Sequence, residues 1–206
     1  MRTIVINWQN LNLYHQYWID HHKLRKEIFV DRLGWDLTSN DDMEFDEFDT
    51  PPAHYVVCID DDDRVCGVSR LISTANPFMI EKLWPEWLHG QLPKNERVWE
   101  ATRFGVASNL RASERAEVID QITRRIYSFG QENGVESFLL VMPTFIYDRI
   151  LIPRGYDLEL VSDIRQIDGL KTAIAAVEID GAVSEVDMPP AYSSTPPLGH
   201  AGASIP

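Results

Sequence analysis

The chain has 206 residues, and its 44% hydrophobic share is ordinary for one globular domain that buries a sizeable core. Its formal net charge of −13 argues against general nucleic-acid binding, because a phosphate backbone attracts a basic surface. No stretch is apolar for long enough to span a bilayer, and the opening residues MRTIVINWQNLN lack a signal-peptide pattern, so we expect a cytoplasmic protein without a membrane or nucleic-acid partner.

The first part of the chain predicts a strand, a helical region and a long loop. Residues 3–7 form a short β-branched run, and over residues 11–32 apolar and aromatic side chains recur at helical spacing. This spacing predicts one long helix or two consecutive helices. Residues 37–52 are acidic, lack periodicity and end in two prolines, so they predict a loop. A structureless connection of this length often has a function.

Two apolar strands and a short helix are predicted next. Residues 55–59 and 65–72 flank an Asp-rich turn, which is typical of a hairpin. This hairpin brings Cys58 and Cys66 near each other, and in a reducing compartment we expect both to be free, buried thiols. Residues 79–89 carry apolar side chains at helical spacing and predict a short helix that covers the core.

The second half of the chain alternates strands and helices. Residues 97–107 predict a buried strand, and residues 112–132 predict an amphipathic helix with Ser113 as its N-cap. Residues 137–142 predict another strand, and Pro143 is expected in the first turn of the helix that follows. The remaining predicted strands are residues 156–161 and 172–179.

This order of elements predicts an α/β protein with a mixed, mostly antiparallel sheet flanked by helices. The order resembles that of the GNAT-like (acyl-CoA N-acyltransferase-like) sandwich. We expect a single domain over residues 1–182 and a disordered tail over residues 183–206, which are rich in Pro, Ser and Gly. The six histidines show no metal-ligand spacing, so we predict no metal site.

The strand VWEATRFGV at residues 98–106 places Glu100 and Arg103 inside an apolar and aromatic run. Burying an ion without a partner is costly, so each of the two charges needs one. They are either a structural ion pair or a base and a clamp for an anionic substrate. On a regular strand these two positions point to opposite faces, so a cleft that they share requires a β-bulge at or between them.

Four segments together carry a longer pattern. They contain Arg25, Phe29 and Trp35; the run EFDEFD with Asp46 and Asp49; the run GVSRL with Arg70; and the strand with Glu100 and Arg103. On these residues the sequence resembles the acyl-homoserine-lactone synthases, the autoinducer synthases of bacterial quorum sensing. The match is strong over residues 25–106 and extends by element order to about residue 180.

The resemblance implies an acyltransfer followed by a ring closure. The amine of S-adenosylmethionine takes the acyl group of a thioester, and the carboxylate of the same substrate then closes the lactone and expels methylthioadenosine. S-adenosylmethionine is a substrate in this scheme, so no cofactor is expected. The resemblance implies Glu100 as the catalytic base, and burial fits this role because it raises the proton affinity of a carboxylate. Backbone N–H groups on a distorted part of its strand are the expected oxyanion donors.

The other residues of the pattern are implied in substrate binding and in shaping the site. The S-adenosylmethionine-binding residues are Arg25, Phe29, Trp35, Asp46 and Arg103, and the scaffold residues are Asp49 and Arg70. Asp46 suits the cationic groups of the substrate, and Arg103 or Arg25 suits its carboxylate. Phe29 and Trp35 suit the adenine or the sulfonium.

The acyl chain needs an apolar tunnel. The candidates are Leu140, Met142, Thr144, Phe145 and Ile146, although core packing alone explains apolar residues at these positions. Thr144 lies near the place where some members of the family carry a hydroxyl linked to 3-oxo-acyl preference. The fold resemblance also implies that the later strand splays away from the charged strand to admit a pantetheine arm.

The donor implied by the resemblance is an acylated acyl carrier protein or, in some members, an acyl-CoA. A carrier protein is acidic and would suit the basic residues Arg111, Arg115, Arg124 and Arg149. The alternative function is a GNAT-type N-acetyltransferase that uses acetyl-CoA on a small amine. Against it, residues 107–112 lack the glycine-rich cradle that binds a diphosphate at a helix N-terminus.

Overall fold

A computed structural model describes residues 1–40 and 42–179. The tail predicted for residues 183–206 lies outside the described residues. No helix within the described residues is long and apolar enough to cross a bilayer.

The strands of the described residues form one large sheet and one small ladder. They are β1 (Arg2–Ile6), β2 (Ser39–Asn40), β3 (Met43–Glu44), β4 (His54–Ile59), β5 (Val65–Ser73), β6 (Val98–Val106), β7 (Ser137–Pro143), β8 (Leu158–Leu160), β9 (Arg165–Ile167) and β10 (Leu170–Glu178). The large sheet has the order β1-β4-β5-β6-β7-β10-β8, and β9 also pairs with β10. Its pairs are antiparallel except β6 with β7, which are parallel. The predicted mixed, mostly antiparallel sheet is confirmed.

The helices cover both faces of this sheet. They are α1 (His15–Arg25), which continues as a π-helical segment (Lys26–Arg32); α2 (Met79–Leu83), which precedes a 3₁₀ turn (Pro85–Trp87); α3 (Ala112–Glu132); and α4 (Thr144–Ile146), which continues as a π-helical turn (Tyr147–Leu151) and a 3₁₀ turn (Ile152–Arg154). The ladder of β2 with β3 lies within the acidic segment that was predicted to be a loop.

Alternate residues of β4 enter two different apolar clusters, because successive side chains of a strand point to opposite faces. On β4, Val56 and Cys58 belong to the cluster beneath α3, to which Val118 also belongs. Tyr55 and Val57 belong to the second cluster, which α2 and the residues before α1 cover. The acidic segment contributes Phe48 to this second cluster.

Strands β6 and β7 separate at their carboxyl ends. Their parallel register runs from Val98↔Ser137 to Ala101↔Leu140 and stops there. Beyond that point β6 stays paired with β5, and β7 stays paired with β10. A wedge therefore opens between the two strands, as the fold resemblance implied.

Two predicted details are wrong. Ser113 lies in the first turn of α3, whose N-cap is Arg111. Pro143 ends β7 and immediately precedes α4, because its extended ψ of 135° does not continue into a helical turn. The prediction of two free, buried thiols at Cys58 and Cys66 is confirmed.

Candidate active site

The acidic segment folds over the sheet so that three arginines and three carboxylates meet in one network. Its members are Arg25 from α1, Arg70 from β5, Arg103 from β6, and Glu44, Asp46 and Asp49 from the acidic segment. Arg25, Arg70 and Glu44 are 0% exposed. The three positive and three negative charges cancel, which is the condition under which buried ions are tolerated.

Arg25 uses all three of its guanidinium nitrogens on carboxylates. Its Nε lies 2.6 Å from Glu44 Oε2, and Nη1 and Nη2 lie 2.7 and 2.8 Å from the two oxygens of Asp49. Tyr55 Oη also donates to Asp49 over 2.9 Å. Burial alone would raise the pKa of Asp49, but hydrogen bonds and charge from Arg25, and then the charge of Arg70, lower it far below its ordinary value. Arg25 therefore ties α1 to the acidic segment.

Arg103 connects the same segment to β6. Its Nε and Nη2 lie 3.3 and 3.2 Å from Glu44 Oε1, and Nη2 lies 2.7 Å from Asp46 Oδ2. Its Nη1 lies 3.4 Å from Met79 Sδ on α2. The contacts with Glu44 are longer than those that Arg25 makes, so this guanidinium is held less tightly.

A β-bulge on β6 explains where Arg103 points. The register with β5 shifts between Val68 and Arg70, so that Arg103 and Phe104 together oppose Ser69. Arg103 has a φ of +53°, in the left-handed region that side-chain-bearing residues rarely adopt. Such backbone strain persists only where the surrounding contacts over-determine it, and the network supplies those contacts.

The bulge brings Glu100 and Arg103 to the same side of β6. Both side chains reach Met79: its backbone N–H donates to Glu100, and its sulfur lies against Arg103. Without the extra residue the two side chains would point to opposite faces. The predicted bulge is confirmed, whereas a direct Glu100–Arg103 ion pair is wrong, because each charge has other partners.

Glu100 is a fully buried carboxylate held by backbone groups. Its two oxygens accept hydrogen bonds from the backbone nitrogens of Met79, over 3.0 Å, and Ile80, over 2.7 Å, at the start of α2. Burial raises the pKa of Glu100, and these two hydrogen bonds oppose the rise without cancelling it. The result is a carboxylate with increased affinity for a proton, as a general base requires.

Two polar groups on this face keep unused hydrogen-bonding capacity. Arg70 donates from Nη1 to Asp46 and, over 3.1 Å, to Asp49. Among the described residues its Nε and Nη2 find no partner, and neither does Thr102 Oγ1. Arg70 and Thr102 stand directly opposite each other on β5 and β6, so their side chains share a face. A buried donor left without a partner costs about 1–3 kcal/mol, which a polar ligand would recover.

Phe29 and Trp35 form a stacked pair beside Arg103. Their ring centroids are 5.2 Å apart, and the guanidinium of Arg103 lies 5.6 Å from the centroid of Phe29. Phe29 is buried, whereas Trp35 is partly exposed. The indole of Trp35 is therefore the member of this pair that a ligand can reach.

An apolar cavity lies in the wedge between β6 and β7, beneath α3. The space between its lining side chains amounts to about 550 Å³ when the part that is open to solvent is included. Of the predicted acyl-pocket residues, Leu140, Met142 and Ile146 line it. Thr144 and Phe145 do not, and Phe145 is 45% exposed.

The cavity and the charged network lie on opposite faces of the sheet. Ala101 and Leu140 belong to the cluster beneath α3, whereas Leu139, the register partner of Glu100, belongs to the other cluster. A substrate that contacts both the cavity and the charged network must therefore pass through the wedge. The bulge borders both the network and the cavity, because Arg103 belongs to the network and the next residue, Phe104, lines the cavity.

Sequence reasoning missed two parts of this site. Glu44 lies in the EFDEFD run but was not assigned a role, although it binds both Arg25 and Arg103. The signal was available, since residues 44 and 46 are two apart and an extended segment presents such residues on one side. The N–H groups of α2 that hold Glu100 carry no signal in the sequence, because every non-proline residue has such a group.

The chain is similar to known proteins both in sequence and in structure. Residues 9–186 match the family model described as autoinducer synthase. The acyl-homoserine-lactone synthase of Aeromonas salmonicida is 32% identical over 152 residues, which cover 71% of this chain and 72% of that protein. A CoA-dependent acyl-homoserine lactone synthase, BjaI, solved with SAM and isopentyl-CoA, superposes with a TM-score of 0.79 at 24% identity, over 86% of this chain and 83% of that one. A putative N-acetyltransferase from Lactobacillus plantarum gives a TM-score of 0.54 at 15% identity, over 87% and 99%. The predicted GNAT-like fold is confirmed.

Proposed function

The chain belongs to the autoinducer synthase family, and we propose that it makes an N-acyl-homoserine lactone from S-adenosylmethionine and an acyl thioester. One observation carries the proposal for this site. A buried carboxylate with a raised pKa and an arginine–carboxylate network lie on one side of the β6–β7 wedge, and an apolar cavity lies on the other. The wedge is the place where a thioester carbonyl can meet an amine.

In the first step Glu100 accepts a proton from the α-ammonium of S-adenosylmethionine, because an ammonium cannot attack a carbonyl. The amine then forms the amide bond, the carbon–sulfur bond of the thioester breaks, and the thiolate leaves with a proton. The first N–H groups of α2 orient the carboxylate of Glu100 for this transfer. The tetrahedral oxyanion needs donors, and we assign them to β6 N–H groups beyond Ala101, where the pairing with β7 has ended.

In the second step the substrate carboxylate attacks its own γ-carbon. A carbon–oxygen bond forms, the carbon–sulfonium bond breaks, and neutral methylthioadenosine leaves. This step needs a held conformer more than acid–base help. We assign the carboxylate to the free donors of Arg70 with the hydroxyl of Thr102, and Arg103 is the neighbouring cation. Every guanidinium nitrogen of Arg25 already donates to a carboxylate of the chain, so in this proposal Arg25 is a scaffold residue like Asp49 rather than a substrate ligand.

The adenosine and sulfonium fit beside the aromatic pair. The partly exposed indole of Trp35, backed by Phe29, offers a face for the adenine or the sulfonium. Asp46 is the carboxylate of the network with the most exposed side chain, at 16%, and is the proposed partner of the cationic groups. S-adenosylmethionine enters as a substrate, so the proposed reaction needs no cofactor.

The acyl donor is proposed to be an acyl carrier protein or an acyl-CoA. Of the arginines considered for docking, Arg111 is paired with Glu114, and Arg124 with Asp120. These pairs neutralise much of the positive charge on α3. Arg149, on the exposed side of the segment that borders the cavity, is the better landing residue for an acidic carrier protein.

A product assay tests the proposed function. The full chain is incubated with S-adenosylmethionine and matched acyl thioesters on carrier protein and on CoA, and products are measured by mass spectrometry. We expect lactone and methylthioadenosine in equal amounts, and a loss of at least about 100-fold in kcat/KM for Glu100→Gln. Glu159→Gln, at an exposed strand position, is the matched control. Acetylation of a small amine by acetyl-CoA without lactone would support the N-acetyltransferase alternative instead.

A further inference from the structure

A carboxylate of the chain occupies the loop that joins β6 to α3. Glu27, on the π-helical segment after α1, places Oε1 2.5 Å from Ser108 Oγ and 3.4 Å from the Ser108 backbone nitrogen. Both groups of Ser108 donate to this one oxygen. Glu27 and Ser108 are exposed, so a ligand that approaches the loop meets the negative charge directly.

Other backbone donors of this loop are also in use. The N–H of Ala107 donates to the carbonyl of Cys66 over 2.9 Å, and the N–H of Arg111 donates to the Glu114 carboxylate over 2.9 Å. The backbone N–H groups of Ala107, Ser108 and Arg111 are of the kind that binds a phosphate at the start of a helix. At Ser108 and Arg111, carboxylates therefore already accept from N–H groups that an anion could otherwise bind.

The arginines near the loop make contacts with carbonyl oxygens. Arg32 donates to the carbonyl of Val106 over 3.3 and 3.4 Å, and Arg115 donates to the carbonyls of Ser108 and Leu110 over 3.4 Å. These contacts are long, and the carboxylate of Glu27 is the charged group that accepts from the Ser108 N–H.

We propose that Glu27 is a donor-selecting residue that disfavours free CoA thioesters at this loop. The inference rests on the proposed function, because it concerns the acyl donor of that reaction. A CoA thioester carries a diphosphate and a further phosphate, and the N-terminus of a helix such as α3 generally attracts such anions. The arm of a carrier protein carries a single phosphodiester next to the protein to which it is joined. Repulsion by Glu27 therefore acts mainly on the CoA donor.

The expected size of the effect is modest because the position is exposed. Repulsion between two unit charges about 4 Å apart in water corresponds to roughly a fivefold loss of affinity. Salt screens such an interaction, so the effect should shrink at about 0.5 M ionic strength.

The test compares Glu27→Gln with the unchanged chain. Glutamine keeps an acceptor for Ser108 Oγ and removes only the charge. We expect CoA itself to bind roughly fivefold more tightly to the variant by calorimetry, and kcat/KM for an acyl-CoA to rise by a similar factor. With the same acyl group on carrier protein, we expect a change of less than about twofold. Glu117→Gln, an exposed position further along α3, is the matched control for net charge.

The possible results of this test either support or overturn the proposed role of Glu27. Tighter CoA binding in Glu27→Gln alone, reduced at high salt, supports donor selection. Equal changes for both donors, or the same change in Glu117→Gln, overturn it while leaving the synthase function intact. Turnover of neither donor with S-adenosylmethionine by the unchanged chain overturns the proposed function, and this inference with it.

Discussion

Glu44 is the residue on which the charged network depends most, because it binds one arginine through each of its oxygens. Oε2 accepts from Arg25, and Oε1 accepts from Arg103. Removing its charge would leave two buried guanidiniums with too few carboxylates. Breaking a buried pair in this way typically costs about 3–5 kcal/mol.

We therefore expect Glu44→Gln to lower the free energy of unfolding by about 3 kcal/mol, measured by urea denaturation, and to reduce lactone synthesis. The neighbouring Glu47 offers a control, since its partner Lys82 is exposed and such surface pairs contribute about 0–1 kcal/mol. Equal losses in Glu44→Gln and Glu47→Gln would mean that burial of the network does not matter for stability.

Two adjacent histidines on α1 are buried behind the network in their neutral form. His21 stacks on Tyr55, and neither of its ring nitrogens has a hydrogen-bond partner within the described residues. Burial, followed by the positive charges of His22 and Arg25, lowers the pKa of His21 well below its ordinary value. Burial first, and then the positive charges of Arg25 and Arg70, lower the pKa of His22 to about 4.

These shifts predict acid sensitivity. A histidine whose pKa is lower in the folded state than in the unfolded state stabilises the fold above the unfolded pKa of about 6.5, and this stability is lost as the pH falls below that value. For His21→Phe we expect unchanged or greater stability at pH 7. Below about pH 6.5, we expect the pH slope of the unfolding free energy to be smaller by up to about 1.4 kcal/mol per pH unit. An unaltered slope in His21→Phe would show that this ring does not change its protonation on unfolding.

At the scale of elements, long periodic segments were predictable and backbone irregularities were not. The helix over Ala112–Glu132 and the hairpin of β4 with β5 follow from spacings of 3.6 and 2 in their apolar residues. Strands β2, β3 and β9 have two or three residues each, which is too few to show a period. The bulge could be predicted only because two charged residues of one strand had to share a cleft.

The segment after β7 shows the same limit in the site itself. Sequence reasoning proposed both Phe145 and Ile146 for the acyl pocket, but adjacent helical residues point in different directions. The structure puts Ile146 on the cavity and exposes Phe145. Only the way in which this segment packs against the wedge decides that Ile146, and not Phe145, faces the cavity.

We expect Ile146→Trp to fill part of the cavity and to shift the lactone products toward shorter acyl chains. Phe145→Leu is the matched control and should leave the chain-length distribution unchanged, because this side chain is outside the cavity. The measurement is the product spectrum from an equimolar mixture of acyl thioesters. An unchanged spectrum in Ile146→Trp would place the acyl chain elsewhere.

At the scale of the whole molecule, the net charge of −13 constrains how an acidic carrier protein could dock. Long-range repulsion between two acidic proteins must be offset by a local basic contact. Much of the positive charge on α3 is already neutralised by its own acids, whereas Arg149 is exposed on the segment whose residues Ile146 and Ile150 line the cavity.

We expect Arg149→Gln to raise KM for a carrier-bound donor roughly two- to fivefold and to leave KM for the matching CoA donor unchanged. Raising the ionic strength from about 0.05 M to about 0.5 M should raise the same KM in the unchanged chain. Arg64→Gln removes an equal charge at the distant β4–β5 turn and serves as the control. Equal effects of the two substitutions would argue against docking at Arg149.

The central claim is that one site acylates the amine of S-adenosylmethionine and then closes the ring with the carboxylate of the same substrate. Its most direct test is mass spectrometry of the lactone made from S-adenosylmethionine that carries two ¹⁸O atoms in its carboxylate. Ring closure by that carboxylate predicts a lactone that keeps both labels and appears together with one equivalent of methylthioadenosine. A lactone that has lost one label, or methylthioadenosine released without lactone, would contradict the account.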